Sequence, residues 1–423
     1  MPRPRGRNRA LATTAVLLAA LLGAVNPVIA NAAGTVLFQN SFANRTVDGT
    51  GTVTVPTPTS GTNAVCLTAS GNTATLPVLS CAGTSDAQGS GKLRLTPNTG
   101  NQIGGVFGAT SFPTSNGLDL TFTSYQWGGG AADGIAFMLA AADPANPVAP
   151  ANIGPPGGSL GYSPSGSIRG LPNAYLGVGL DVYGNFSSNS FSGSGCANPA
   201  NISTAVPGAV VVRGPGNGSV GYCGLTTTWN GTAGSTVTLR AATRAASAVP
   251  VQVLVNPTAT TFLSDSGVSA AAGTYKVVVT PVGQPTRTLT GALPSVSAGL
   301  YPSTSWLNAA GVPKQLAFAL VGSTGGVTDT HEVSNVKAVT FNPVPQLAVS
   351  TTSFSAASPA QGAPVTYQVA ASVLAGTNEN SPISITQTTP TGVVPVGAYG
   401  TGWVCAAPVS QNITCTTSGS SFP

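Results

Sequence analysis

Carboxylates are rare in this chain, and their positions limit the chemistry that it can perform. Only ten of the 423 residues are Asp or Glu. One of them, Asp133, stands between a run of small residues and the apolar segment at 134–139. A carboxylate held there accepts hydrogen bonds only, and it can accept them from two hydroxyl groups of one ligand. Capping of a nearby turn is the alternative role for this residue.

The remaining acids argue against hydrolytic chemistry. Hydrolysis of a glycosidic bond usually needs two carboxylates that flank the bond. The acids of residues 33–343 are scattered and form no tight cluster, and the only glutamates are Glu332 and Glu379. A Ser-His-Asp triad would have to use His331, the only histidine. Since His331 and Glu332 are neighbours in a strand-like run and face opposite sides, we interpret both as structural.

The composition predicts an all-β protein. Gly (54) and Pro (34) are abundant, and β-branched runs alternate with turn residues. The strand-like runs lie at 34–42, 92–97, 117–127, 134–139, 175–184, 209–214, 235–241, 274–282, 315–322 and 331–341. Ten or more short strands at irregular spacing favour a large β-sandwich.

The N-terminus has the pattern of a secretory signal peptide at residues 1–32. Arginines within residues 1–9 precede an apolar run at 10–25, and small residues offer cleavage near Ala30 or Ala32. An uncleaved membrane anchor is the alternative, but this run is shorter than the about 20 residues that a span needs. We therefore expect a secreted, extracellular protein, attached to the cell surface or free, without a mature transmembrane segment. Its basic residues are scattered rather than clustered, so nucleic acid is not an expected partner.

The six cysteines follow this segment and fall into three local pairs. In an exported chain they favour disulfides, although six cysteines permit 15 connectivities. The pairs predicted from proximity are Cys66–Cys81, Cys196–Cys223 and Cys405–Cys415. The second pair would hold the polar loop at 184–196. Zinc is the weaker alternative, because no CxxC spacing occurs.

Four stretches, in this order, resemble the L-type (legume-type) lectin family. They are ADGIAFML at 132–139, GGSLGY at 157–162, YLGVGLDVYGNF at 175–186 and LAFALVGSTGGVTDTHEVSNVKAVTF at 316–341. The resemblance spans roughly residues 34–341. It implies a concanavalin-like jelly-roll sandwich with a sugar site at one end of the concave sheet, and a cis peptide bond between Ala132 and Asp133.

The resemblance also implies roles for individual residues. Asp133 would accept hydrogen bonds from two sugar hydroxyls, and the backbone N–H of Gly158 would donate one. Asn185 would donate from its side-chain amide, and the loop at Gly325 and Gly326 would close another side of the site. Glycines suit these positions because they let the backbone approach a ligand closely.

An aromatic face usually packs against the C–H surface of a sugar. The aromatic residues near these stretches are Tyr183, Phe186, Tyr162 and Trp127. Each of them can instead belong to the core of a sandwich, and of the four we predict only Tyr183 as a binding residue.

The metal site of the family is incomplete in this sequence. Asp181, the Tyr183 carbonyl and the Asn185 side chain present oxygens at alternate positions, which suits calcium. The family has a Glu two residues before this Asp, where this chain has Gly179, and a downstream Asp and His that this chain lacks. A transition metal is therefore not expected. Calcium stays open, and capping of loop N–H groups is the alternative role for Asp181.

Residues 344–423 are predicted to form a second unit after a proline-containing linker at 342–346. The runs at 363–373, 383–393 and 402–416 resemble the Ig-like repeats of bacterial surface proteins, a domain family of unknown function that usually forms stalks. An Ig-like sandwich typically takes about 100 residues. We therefore expect this unit to be incomplete.

Together these patterns predict a secreted bacterial surface protein whose lectin-like domain, residues 33–343, binds glycans or cell-surface polysaccharide and is not an enzyme. A structural or adhesive module with a degenerate lectin site is the first alternative, because of Gly179. A glycoside hydrolase is the second. The sequence names neither the sugar nor the oligomeric state.

Overall fold

Short β-strands joined by turns make up the regular structure of the protein. The computed structural model describes residues 34–69, 77–83, 86–342, 347–353, 360–373 and 383–417. The predicted signal peptide lies outside these residues. Within the described ranges the only helices are three-residue 3-10 turns, at Thr114–Asn116, Gly157–Ser159, Asn185–Ser187, Asn189–Phe191, Ala245–Ser247 and Thr304–Trp306. No described helix is long and apolar enough to cross a membrane.

The strands before residue 343 are numbered in chain order. They are β1 (Val36–Asn40), β2 (Val53–Thr54), β3 (Thr57–Pro58), β4 (Cys66–Leu67), β5 (Leu93–Thr96), β6 (Ile103–Gly108), β7 (Phe112–Pro113), β8 (Leu118–Trp127), β9 (Gly134–Ala141), β10 (Asn152–Ile153), β11 (Ala174–Asp181), β12 (Ala209–Arg213), β13 (Gly216–Asn217), β14 (Val220–Gly221), β15 (Gly224–Thr227), β16 (Val249–Asn256), β17 (Phe262–Leu263), β18 (Ser269–Ala270), β19 (Thr274–Val279), β20 (Arg287–Ala292), β21 (Gln315–Ser323) and β22 (Thr330–Val339).

Two large antiparallel sheets pack face to face. The first has the order β20-β19-β16-β8-β22-β5-β4, with β1 beside β22. The second has the order β14-β13-β11-β9-β21-β6-β2, with β12 and β15 continuing from β11 and β7 beside β21. Leu120 and Phe122 of the first sheet and Phe137 and Leu139 of the second belong to one buried apolar cluster. The predicted all-β sandwich is therefore confirmed.

The second sheet is buried on its outer face as well. Every residue of β9 and of β11 is buried. On the outer face, Met138 packs in a second apolar cluster with Tyr162, Phe186 and Tyr222, which come from the connecting loops. Loops thus form a third layer over the second sheet. A Cβ at Gly177 would lie 2.7 Å from the Tyr162 ring, so this strand needs glycine where the loop layer touches it.

One predicted strand, at 235–241, is wrong. Val237 is buried, but its N–H donates to the Gly208 carbonyl at 2.8 Å, and the Thr238 N–H donates to the Gln284 side chain at 2.9 Å. Only the last residue of the segment reaches a strand: the Ala241 N–H donates to the Gln126 carbonyl of β8 at 3.2 Å, in an isolated bridge. Alternation of apolar and polar residues indicates that one face of a segment is buried. It does not indicate that the segment pairs with another strand.

Two central strands were not predicted. β16 pairs with both β8 and β19, and β6 pairs with both β2 and β21. Pro250 weakens the strand pattern of β16, but it stands at the second residue, where the missing N–H removes only a terminal ladder bond. β6 has the sequence IGGVFG, and its glycines hide the period-two pattern.

The C-terminal segment forms two further antiparallel sheets. β23 (Leu347–Ser353) pairs with β24 (Tyr367–Val373). β27 (Asn412–Thr417) lies between β25 (Ser384–Thr388) and β26 (Trp403–Cys405). β24, β25 and β26 fall within the predicted runs, β27 extends one residue beyond the last of them, and β23 was not predicted. The boundary at residue 343 and the Ig-like character of this segment stay predictions.

The structure contains three disulfides. They are Cys66–Cys81, Cys196–Cys223 and Cys405–Cys415, the pairs that proximity suggests. The second disulfide links the long loop after β11 to the turn between β14 and β15.

Glu332 lies on β22, between β8 and β5 of the first sheet, and holds these strands together. Its buried carboxylate accepts hydrogen bonds from Arg94 Nη2 at 2.8 Å, Arg244 Nε at 2.6 Å and Trp127 Nε1 at 3.2 Å. Its neighbour His331 is also buried, and Nδ1 lies 2.7 Å from Thr96 Oγ1. Both residues hold strands together, in agreement with their structural interpretation.

We expect Glu332→Ala to lower the free energy of unfolding by about 3 kcal/mol, because it leaves two partly exposed arginines without their shared buried acceptor. Urea unfolding at neutral pH measures this loss. The control is Asp265→Ala, which removes an exposed carboxylate and should change stability by less than about 0.5 kcal/mol. Equal stability of the two variants would contradict the assigned role.

Candidate functional site

Asp133 lies where three strands of the second sheet meet at one end. It precedes β9, and its neighbours across the sheet are the last residues of β11 and β21. The Asp133 N–H donates to the Ser323 carbonyl at 2.9 Å, and the Asp133 carbonyl accepts from the Tyr183 N–H at 3.0 Å. The peptide bond between Ala132 and Asp133 is cis, as the resemblance implies.

The Asp133 carboxylate is buried without a full set of partners. The residue is 3% exposed, and no described group forms a hydrogen bond with Oδ2. Most buried carboxylate oxygens in proteins are hydrogen-bonded. Capping of a turn would supply backbone N–H donors to both oxygens, and Oδ2 has none. Among the buried side-chain atoms of the described residues that lack a partner, Oδ2 is the only carboxylate oxygen, and it is free to accept a donor from water or a ligand.

Glycines keep the space around this oxygen open. A Cβ at Gly325 would lie 3.0 Å from Asp133 Oδ2. A Cβ at Gly158 would overlap Asn185 Cβ. The turn at 157–159 can therefore touch the loop at 184–196, called here the Asn185 loop, only with glycine at this position. The structure thus brings together Asp133, Gly158, Asn185 and Gly325. Gly326 is exposed, with nothing close to it.

Asn185 supplies a free amide beside these residues. It begins the 3-10 turn Asn185–Ser187 after β11 and is half-buried. Among the residues that the structure describes, none forms a hydrogen bond with its side chain. The Ser323 hydroxyl donates to the Gly157 carbonyl at 3.0 Å and so ties the end of β21 to the glycine turn. A carboxylate acceptor and an amide donor are therefore held on connected loops.

A second carboxylate holds the loop that leads into Asp133. Asp329 is buried, accepts the Gly129 N–H at 2.7 Å and forms an ion pair with Arg240 at 2.7 Å. Arg240 also donates to the Gly129 carbonyl at 2.9 Å. Sequence reasoning missed both positioning residues, because they are about 90 residues apart in the chain. The only local signal was an acid next to the Gly-Gly loop.

Only one of the four aromatic candidates is exposed at this end of the sheet. Tyr183 is 41% exposed, and its N–H donates to Asp133. Phe186 and Tyr162 are fully buried in the second apolar cluster, and the Trp127 indole is held by Glu332. Of the four, the structure therefore leaves Tyr183 as the exposed aromatic side chain in the segment whose backbone bonds to Asp133.

Burial raises the pKa of Asp133 to about 7, and the nearby Gly325 N–H only partly opposes this rise. The physical cause is the cost of moving a charge away from water without a compensating cation. Near neutral pH the carboxylate thus changes between an acid that can donate and an anion that only accepts.

The residues of the loop after β11 do not fit a calcium ion. Asp181 is fully buried, with Oδ1 accepting the Gly184 N–H at 2.8 Å and Oδ2 accepting the Ser187 N–H at 3.1 Å. Asp181 thus caps the loop, which was its alternative role. A side chain at Gly179 would overlap the Phe186 ring. No group of three or more His, Cys, Asp or Glu side chains able to hold a metal occurs in the described part of the chain.

No family model matches this chain, and no curated protein matches it either. Among solved structures, it is similar to the VIP36 exoplasmic/lumenal domain in a Ca2+/Man-bound form, with 14% identity, 58% of this chain and 77% of that chain covered, and a TM-score of 0.34. It is similar to the metal-free lectin I-B4 of Griffonia simplicifolia, with 14% identity, coverage of 58% and 86%, and a TM-score of 0.35. A Bauhinia forficata lectin in complex with GalNAc gives 12% identity, coverage of 69% and 100%, and a TM-score of 0.34.

We expect Asp133→Asn to raise the free energy of unfolding of the ligand-free protein relative to wild type, and to raise it more at pH 8 than at pH 5. The folded-state pKa of about 7 is above the ordinary value of 3.8, so the wild type loses stability as the pH rises from about 4 to 7. Asn carries no charge at any pH. The difference in free energy of unfolding between Asp133→Asn and wild type should therefore grow by roughly 2–4 kcal/mol from pH 5 to pH 8. Urea unfolding of both proteins at pH 5 and pH 8 measures it.

The control for this experiment is Asp48→Asn, which changes an exposed carboxylate. A difference between wild type and Asp133→Asn that is the same at both pH values would contradict burial of the charge.

Proposed function

We propose that this protein is lectin-like and binds glycans reversibly through the loops at the end of the second sheet. The observation that carries the proposal is the buried Asp133 oxygen without a donor. An unsatisfied buried acceptor costs about 1–3 kcal/mol. A polyhydroxyl ligand would supply the missing donors, and several hydroxyl groups in one ligand can use neighbouring acceptor and donor groups together.

The other groups around Asp133 suit a sugar. The Asn185 amide is free to donate, Gly158 and Gly325 let a ligand approach the backbone, and Tyr183 offers an exposed ring. Charge-assisted hydrogen bonds to a carboxylate are about twice as strong as neutral ones. These features support binding by a few directed hydrogen bonds, with the ring packing against the C–H face of the ligand.

The described residues support binding rather than turnover. Asp181, the next carboxylate along the sheet, is fully buried with both oxygens on backbone N–H groups, which supports a structural role rather than that of a second acid or base. Ser159 stands in a Gly-x-Ser-x-Gly sequence, but it is buried, and its hydroxyl donates to the Pro156 carbonyl at 3.1 Å. His331 is engaged with Thr96 on the first sheet. Neither serine nor histidine is arranged as a nucleophile with its base.

We further infer that the protein is exported to the cell exterior. The N-terminal pattern supports this, and so do the three disulfides, because structural disulfides persist in oxidising compartments. The C-terminal strands would serve as a spacer. A surface module without sugar affinity is the alternative function, and the next experiment separates the two.

The full chain should bind a subset of glycans on an array, and Asp133→Asn should lose at least tenfold in affinity for them. The loss follows from removing charge-assisted acceptor bonds worth about 1.5–3 kcal/mol. Isothermal titration with the best glycan gives the affinity of each variant. Asp265→Asn, an exposed carboxylate elsewhere in the chain, is the matched control. Absence of glycan binding by the folded wild type would support the surface module.

Affinity should also depend on pH. The ionised carboxylate accepts the hydroxyl donors, and the pKa of Asp133 in the free protein is about 7. Proton uptake therefore competes with binding, and affinity should fall about tenfold between pH 8 and pH 6. Titrations at both pH values measure the fall, with Asp133→Asn as a pH-independent reference. A flat profile for the wild type would show that another group accepts the hydroxyls.

A further inference from the structure

A buried cation lies beneath the Asn185 loop. Arg213, the last residue of β12, points away from the sandwich core into the second apolar cluster and is fully buried. Its guanidinium lies over the Phe186 ring, 4.9 Å from the ring centre. Long basic side chains are almost never fully buried unless their charge and donors are matched. The contacts of this side chain therefore show what it holds.

All five N–H donors of Arg213 are used. Nε and Nη2 donate to the Phe186 carbonyl at 2.9 and 2.7 Å, and Nη2 also donates to the Ser188 carbonyl at 2.7 Å. Nη1 donates to the Tyr222 carbonyl at 2.7 Å and to Ser192 Oγ at 2.9 Å. The guanidinium thus binds three oxygens between Phe186 and Ser192 of the Asn185 loop, and the Tyr222 carbonyl of the adjoining turn.

This arrangement performs the task for which a bound calcium ion is suited. Calcium gathers carboxylate and carbonyl oxygens from a loop around a positive charge. Here the loop carbonyls converge on a guanidinium, and the loop carboxylate of Asp181 is satisfied by backbone N–H groups. The Phe186 ring fills the space beside Gly179. The cation is thus part of the chain.

We propose that Arg213 is a positioning residue that holds the Asn185 loop in its binding conformation in place of calcium, and that ligand binding is independent of divalent cations. The disulfide Cys196–Cys223 closes the same loop against the turn that carries Tyr222. The statement about ligand binding rests on the proposed glycan-binding function. The statement about the loop does not.

The first test uses the wild-type full chain and calcium chloride alone. After treatment with chelator, addition of Ca2+ should move the thermal unfolding midpoint by less than about 1 °C. An ion that binds only the folded state would raise this midpoint. Glycan affinity in chelator and in Ca2+ should be equal. A saturable rise of the midpoint with Ca2+, or loss of affinity in chelator, overturns the proposal.

The second test compares Arg213→Lys and Arg213→Met with wild type by amide hydrogen exchange. Lys keeps the charge but cannot reach both sides of the loop with a planar fork. Both variants should exchange at least about tenfold faster at amides of residues 184–192, while β9 and β21 keep their protection. Glycan affinity should fall by a similar factor, and Ca2+ should not restore it. Unchanged loop protection in Arg213→Met overturns the proposal.

A milder pair of variants covers the case in which the Arg213 variants do not fold. Ser192→Ala removes one oxygen acceptor of the guanidinium, and Ser190→Ala changes an exposed hydroxyl in the same loop. Ser192→Ala should speed loop exchange about two- to fivefold over Ser190→Ala. Equal exchange in the two overturns the proposal. If the wild type binds no glycan, the proposed function fails, and the exchange and calcium results still decide the role of Arg213.

Discussion

Burial of the second sheet on both faces is the constraint on which the rest of the structure depends. One face packs on the first sheet, and the other lies under a layer of loops. Loops that are buried in this way must satisfy their backbone groups internally. Asp181 accepts loop N–H groups and Arg213 donates to loop carbonyls, so each charged side chain serves one kind of backbone group. The loops over the second sheet thus owe their shape to two buried ionisable side chains.

The same constraint makes Asp133 unusual. In a chain with 6% charged residues, the other buried charges have partners. Glu332 has two arginines and an indole, Asp329 has Arg240 and a backbone N–H, and Arg213 has four acceptors. A buried carboxylate oxygen without a donor lowers stability, and binding sites are where proteins keep such groups. This contrast, rather than its neighbours in sequence, separates Asp133 from the structural acids.

Strand prediction succeeded where apolar and polar residues alternate between clear turns. β8 and β22 fall within predicted runs, and β8 alternates between buried and half-buried positions along its length. The prediction failed at 235–241, where alternate burial occurs but only Ala241 bonds to a strand, and at β6 and β16, where glycine and proline interrupt the pattern. Periodicity depends on each residue's own environment, whereas strand pairing depends on segments far away in the chain.

The sequence by itself determined the all-β class, the three local cysteine pairs and Asp133 as the residue of interest, because each is a matter of local pattern or composition. Only the tertiary structure decided which groups meet. Phe186 and Tyr162 lie in the core, and Asp181 caps a loop. Arg213, which no motif singled out, donates hydrogen bonds to the oxygens of the Asn185 loop. Those roles depend on contacts between residues distant in sequence, and a single sequence does not reveal such contacts when no repeated spacing marks them.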